Sequence, residues 1–181
     1  MKITKSILLI FCIVPSLLIS QDNSKNSEAL KPGMKIPAFI LPQYGTNNQY
    51  QKSRLLIKEK KISGFSFFTT TCIPCKKEIP ELIDLNKEFP EIGIYLISLD
   101  KERDNIIKPY LTEHKFNLPI LMDPYHIASK NFKVQTVPSF FLVDSNGVIL
   151  YCIYKYDKNM IKNVKEIILK QLQSINDNAT E

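Results

Sequence analysis

Cys72-Ile73-Pro74-Cys75 is the stretch of this chain best equipped to do chemistry. Two thiols three positions apart at the start of a helix face the same side and can close a small disulfide with little chain movement. A helix N-terminus also carries unpaired backbone N–H groups and partial positive charge, both of which favour a thiolate. Such a pair reads as a reversible redox couple, or as half of a zinc site. A zinc site needs further Cys or His ligands, and the two histidines, His114 and His126, stand apart without paired spacing. Within the couple, Cys72 lies nearest the helix start and is the expected nucleophile. Cys75, one turn further in, is the expected resolving thiol. The spacers Ile73 and Pro74 affect the stiffness of the loop and so its redox poise, while Lys76 and Lys77 add nearby positive charge.

The elements that must position this pair alternate strand with helix, which argues for an α/β sandwich. An apolar strand pattern over 62–68 runs into the motif, and a helix is expected over 72–89 with a kink at Pro80. A second apolar strand covers 92–99. Asp104 can cap a helix running to about 116, weakened by Pro109. A short strand over 118–122 and a short helix over 124–132 follow. Residues 140–143 and 148–154 flank Asp144-Ser145-Asn146-Gly147, which reads as a β-hairpin turn. Ile161, Val164, Ile168, Leu172 and Ile175 then recur at helical spacing and mark an amphipathic helix packed on the sheet. Ahead of all this, prolines 32, 37 and 42 restrict residues 32–41 to an extended or edge segment, and 44–48 is turn-rich.

The ends and the composition set the compartment. A positive start at Lys2 and Lys5, an apolar run over 7–19 and the small Ser20 have the layout of a secretory signal peptide. The run is too short for an ordinary membrane span, although an uncleaved N-terminal anchor is the other reading. The expected organisation is therefore a signal peptide or anchor over 1–20, a flexible linker over 21–31, one domain over 32–176 and a disordered tail over 177–181. Without Lys2 and Lys5 the chain keeps 22 basic against 18 acidic residues, nearly all of the basic ones lysine. That mild excess forms no long basic block and offers no nucleic-acid signature. Three cysteines remain beyond the signal region, the pair and Cys152. Disulfide staples favour an even count, so the pattern is a working couple with a bystander, Cys152 being expected as a buried, inert thiol.

The segment FSFFTTTCIPCKKEIPEL (65–82) resembles the active-site segment of the thioredoxin superfamily. More closely it resembles the exported TlpA/ResA-like thiol–disulfide oxidoreductases, whose motif is followed by a basic residue, a Glu and an Ile/Met-Pro. PGMKIPAFIL (32–41) is similar to that branch's entry segment, and residues 114–150 resemble its second half. The resemblance implies a thioredoxin-like fold, a central mixed sheet flanked by helices, with an N-terminal extension and an inserted βα unit between Cys75 and Pro138. It implies that Val137-Pro138 aligns with the superfamily's cis-proline, whose loop lies beside the dithiol. Val137 and Pro138 are then the substrate-docking residues, because backbone groups before the proline can pair with an extended partner strand. It further implies no cofactor beyond the redox-active Cys72–Cys75 disulfide and no metal. The implied partners are protein thiols and disulfides together with a membrane-bound electron donor. The implied role is that of a reductant in a periplasm-like space, for example in cytochrome c maturation. Oligomeric state is not legible.

Departures from the pattern bear on tuning. Thr71 precedes the first cysteine where the family usually has Trp, and Phe68 holds the other common Trp position. Ser66 stands where thioredoxin carries a buried acid that takes a proton from the resolving thiol, and serine is no base at neutral pH. Glu102 and Glu113, in the inserted region, are the candidates for that task, with nothing to choose between them. Two other functions fit parts of the sequence. A peroxiredoxin-type thiol peroxidase would use Thr69 in its Thr-x-x-Cys, but its upstream Pro is replaced by Phe65 and only Arg103 is available as its arginine. A non-catalytic metal-binding or delivery module would use the two thiols as ligands.

Overall fold

The computed structural model describes residues 28–47, 49–114 and 116–177. The expected signal segment, most of the expected linker and residues 178–181 lie outside them. Seven strands and five helices are described: β1 (Ile40–Pro42), β2 (Tyr50–Lys52), α1 (Ser53–Glu59), β3 (Ile62–Phe68), α2 (Cys75–Glu88), β4 (Ile92–Ser98), α3 (Lys108–His114), β5 (Ile120–Met122), α4 (Ile127–Asn131), β6 (Ser139–Asp144), β7 (Ile149–Ile153) and α5 (Met160–Asp177). A wide π-type turn, Arg103–Ile107, leads into α3.

Five strands form the central sheet in the order β5-β4-β3-β6-β7. β3, β4 and β5 run parallel, whereas β6 is antiparallel to both β3 and β7. β3 and β4 are buried along their whole length, as expected of strands covered on both faces. Side-chain parity divides them cleanly. Ile62, Phe68, Ile92, Ile94, Leu96, Phe140 and Leu142 join one core cluster, with Ile79, Leu82 and Leu85 of α2, Tyr110 of α3, and Met160, Val164 and Ile168 of α5. Phe65, Phe67, Tyr95, Ile97, Phe141 and Val143 join the other, with Leu56 and Ile57 of α1 and Ala128 of α4. Gly64 of β3 faces Ile94 and Phe140 of the first layer. A Cβ there would lie 2.7 Å from Ile94 Cδ1 and 2.9 Å from the Phe140 ring, so only glycine fits.

The expected N-terminal extension is a strap across the second layer. It starts along β7, where Gly33 N–H donates to Ile149 O and Ile36 N–H to Gly147 O (2.8 and 2.9 Å). It buries Phe39 and Leu41 in the core and ends on β5, where Tyr44 N–H donates to Ile120 O at 2.8 Å. Both outer strands of the sheet are thus partly covered, which blunts their unpaired edges. Leu30 is already tied to the domain through its N–H to Tyr154 Oη at 2.7 Å.

Several element boundaries differ from those expected. The motif helix begins at Cys75 rather than Cys72, with Pro74 in the capping position, because proline suits a helix start where its missing N–H has no partner. α2 then continues through Pro80 to Glu88. The helix expected from Asp104 is instead the π-type turn followed by α3, with Pro109 at the second position of α3. A proline there crowds the carbonyl four residues back, and the widened turn lies where that crowding falls. β5 starts at Ile120, two residues late, and α4 spans only Ile127–Asn131 inside the expected 124–132. The Asp144 hairpin forms as read: its Oδ1 accepts from Asn146 N–H and Val148 N–H, both at 2.8 Å, and Gly147 takes φ +77°. The inserted α3–β5 unit adds β5 to the outer edge of β4.

Candidate active site

β3 carries the chain up through the core and releases it at Phe68, so residues 69–74 must turn at the edge of the sheet before α2 returns. That turn is anchored from the neighbouring strand. Asp100, just past β4, accepts from Thr70 N–H (3.0 Å) and Thr70 Oγ1–H (3.1 Å). Ser98 Oγ–H in turn donates to Asp100 Oδ2 at 2.9 Å and accepts from Asp100 N–H. Cys72 N–H then closes the turn onto Thr69 O at 3.1 Å.

Cys72 and Cys75 are joined in a disulfide with Cα atoms 5.3 Å apart. Cys72 lies just outside the helix, 9% exposed, whereas Cys75 opens the helix and is fully buried. Cys75 N–H points back at Cys72 Sγ at 3.2 Å. A thiolate on Cys72 would therefore gain a backbone donor at a helix start, the arrangement that lowers a thiol's pKa. Ile73 projects into solvent at 73% exposure, and Lys76 and Lys77 are exposed.

The other expected site residues approach from β6. The β3–β6 register pairs Phe67 with Ser139, which sets Pro138 beside the end of β3 and the motif loop. The Val137–Pro138 peptide is cis. Pro138 is buried, and half-exposed Val137 packs against the cluster that contains both cysteines. Val137 lies ahead of the β6 ladder, so its N–H and C=O are not engaged there. Around them, Thr136 Oγ1–H donates to Tyr154 O (2.6 Å) and Ser139 Oγ–H to Thr136 O (2.7 Å), which pins the loop on both sides.

The sequence left the proton acceptor for Cys75 open between Glu102 and Glu113. Glu102 and Glu113 are both exposed, outside the buried cluster around the dithiol. The carboxyl inside it is Glu78, fully buried on α2. Cys75, Glu78, Ile79 and Leu82 form one helical face at i, i+3, i+4 and i+7, all packed toward the sheet. Ser66 points to that same side of β3, and its hydroxyl donates to Glu78 Oε1 at 2.6 Å. The serine at the position of thioredoxin's acid therefore holds a carboxyl that arrives from the helix instead. Burial raises the Glu78 pKa from the ordinary 4.5 to about 7, the Ser66 hydrogen bond restrains it, and the charge of Glu81 adds to the rise. Sequence alone carried the signal, since a Glu three beyond Cys75 within the buried helical stripe must face the strand that delivers the motif.

Neighbouring groups have quieter roles. Tyr110 stacks on Phe68 (ring centroids 6.1 Å apart), and burial with the Asp100 charge pushes its phenol up to about 12, so it stays neutral. His114 lies against the Tyr110 and Phe116 rings, and His126 precedes α4 with φ +56°. Cys152 is a free thiol, half-buried rather than fully so, with Sγ 3.3 Å from Leu30 O. Burial raises its pKa, which favours the protonated thiol. Among the described residues no three His, Cys, Asp or Glu side chains converge as a metal site.

Known proteins resemble the chain on both counts, sequence and fold. It is 26% identical over 147 residues to the thiol-disulfide oxidoreductase ResA of Bacillus thuringiensis subsp. konkukian, covering 80% of this chain and 82% of that protein. A ResA of Bacillus cereus is 25% identical over 172 residues, covering 93% and 92%. Among solved structures, a candidate DsbE thiol:disulfide interchange protein from Chlorobium tepidum superposes with a TM-score of 0.70 at 21% identity, covering 80% of this chain and 99% of that one. The peroxidoxin BcpB of Mycobacterium tuberculosis superposes with a TM-score of 0.63 at 19% identity, covering 81% and 98%. At such identities these structures establish the fold, which is thioredoxin-like. The AhpC/TSA family matches residues 32–152, about two thirds of the chain, and the protein belongs to that family.

Proposed function

We propose that the protein is an exported thiol–disulfide oxidoreductase that exchanges its Cys72–Cys75 couple with protein substrates. The observation that carries this is a closed Cys72–Cys75 disulfide backed by a buried carboxyl whose pKa lies near neutrality. In the reducing direction the Cys72 thiolate attacks a partner disulfide and forms a mixed disulfide, releasing one partner thiolate. Cys75–H then gives its proton to the Glu78 carboxylate, and the Cys75 thiolate attacks Cys72 Sγ. The second partner sulfur leaves, so two electrons have moved from the dithiol to the partner. An acid with a pKa near 7 suits this task because both of its forms are populated at neutral pH. An extended partner segment docks on the backbone of Val137, beside Pro138, as an added strand.

The reductant direction, a membrane-bound electron donor and a place in cytochrome c maturation follow from the likeness to the ResA-like branch. Export follows from the signal-like residues 1–20, and among the described residues no helix is long and apolar enough to cross a membrane. Reduction of insulin disulfides by dithiothreitol tests the activity. The protein should accelerate it, and Cys72→Ser should abolish the acceleration. A peroxidase instead would consume hydrogen peroxide with a thiol donor while leaving insulin untouched. Against that reading, Phe65 replaces the expected Pro and is buried in mid-strand, stacked on Tyr95 with centroids 5.5 Å apart.

A further inference from the structure

Glu78 cannot pass its proton straight to water, because its side chain is wholly buried. Its Oε1 is taken by Ser66, while Oε2 is buried with no hydrogen-bond partner. One helical turn on, half-buried Glu81 repeats the pattern. Its Oε1 accepts from the Tyr156 hydroxyl at 3.2 Å, and its Oε2 is buried without a partner. Residues three apart on a helix are neighbours on its surface. A buried acceptor without a donor is costly, and two adjacent carboxylates also repel. One proton held between the two vacant oxygens relieves both penalties. Tyr156 closes the arrangement on its outer side.

We propose that Glu78 and Glu81 form a proton-sharing carboxyl pair, and that Glu81, under the Tyr156 hydroxyl, connects the buried base of the dithiol to solvent. The inference deepens the reading of Cys72–Cys75 as an exchanging couple and rests on it. The proton released by Cys75 when its thiolate attacks Cys72 goes to Glu78, then to Glu81, then to water at the Tyr156 rim. In the oxidising direction it returns by the same route. Glu81 touches neither sulfur, so it is a positioning residue acting through Glu78. The other groups facing the pair are few. Ser66 comes from β3, Cys75 from α2 and Tyr151 from β7. Asn163 of α5 hydrogen-bonds the Tyr151 phenol, and Asp157 lies in the loop before α5. Burial keeps the Tyr151 phenol protonated, and the Asp157 and Glu78 charges act the same way. Among the described residues no lysine or arginine forms an ion pair with Glu78 or Glu81.

The test follows the carboxyl titrations by 13C NMR on the oxidised full-length protein, alongside the pH profile of Cys75-dependent release of a mixed disulfide from Cys72. Glu81→Gln should move the Glu78 titration down by about one pH unit, because a like charge is lost. Tyr156→Phe should move it the same way by less, because the hydroxyl that donates to the Glu81 carboxyl is gone. The release profile should shift the same way in each variant, and Glu81→Asp should restore most of the wild-type profile. A purely structural role would leave the Glu78 titration in place in both variants. A Glu78 titration that stays in place or moves up in Glu81→Gln overturns the pair. If the wild type performs no exchange at all, the functional reading fails, while the titrations still decide whether the pair exists.

Discussion

Glu78 couples the chemistry of the site to the stability of the fold. Its pKa is raised from 4.5 in the ordinary carboxylate to about 7 in the folded protein. Below pH 4.5 the group is protonated folded or unfolded and contributes no pH dependence. Between 4.5 and 7 the unfolded chain loses the proton while the folded one keeps it, so stability falls as pH rises. Above 7 the penalty is constant, on the order of 3 kcal/mol. Glu78→Gln should therefore be more stable than wild type at pH 8 and nearly equal at pH 4, a difference readable by urea denaturation of the oxidised forms at the two values. The same variant should slow the Cys75 step about 100-fold at pH 7, as measured by stopped-flow release of a mixed disulfide. Gain in stability with loss of rate is the signature of a functional burial. Its position was legible from side-chain parity on β3 and helical spacing on α2. It was missed because a carboxylate is expected at the surface.

At the scale of elements, the long buried strands were legible and the short exposed pieces were not. β3 and β4 announced themselves as apolar runs between turn signals. β2 is three residues with both ends exposed, and α1 is a seven-residue helix whose apolar face is only Leu56 and Ile57. Neither carries a period long enough to read. The short α4 forms because Asp123 satisfies its start: the carboxylate accepts from Ile127, Ala128 and Ser129 N–H at 2.8, 3.2 and 2.8 Å. Asp123→Ala should cost about 1–2 kcal/mol in urea denaturation, with the redox chemistry unchanged. Asp100 does comparable work for the motif loop. Asp100→Ala leaves the Thr70 N–H and hydroxyl without their acceptor, and hydrogen exchange at Thr70 and Cys72 should quicken while α5 keeps its protection.

Across the whole molecule, the fold brings the Cys72–Cys75 disulfide beside the cis Val137–Pro138 loop, with the buried Glu78 carboxyl beneath. The sheet register sets Pro138 next to the motif loop, and the strap over 33–44 holds the second layer together from β7 to β5. Phe39 of that strap meets Phe65 and Phe132 with ring centroids 5.4 and 6.0 Å apart. Phe39→Ala should cost about 3–5 kcal/mol while leaving the dithiol's equilibrium with glutathione in place, since the lost packing is on the far face from α2. The central claim is exchange at Cys72 with proteins, and intact-mass spectrometry tests it most directly. Cys75→Ser incubated with a disulfide-bonded unfolded protein should carry that protein covalently on Cys72, released by dithiothreitol and absent when Cys72 is also serine. No adduct, or an adduct on Cys152 instead, would contradict it.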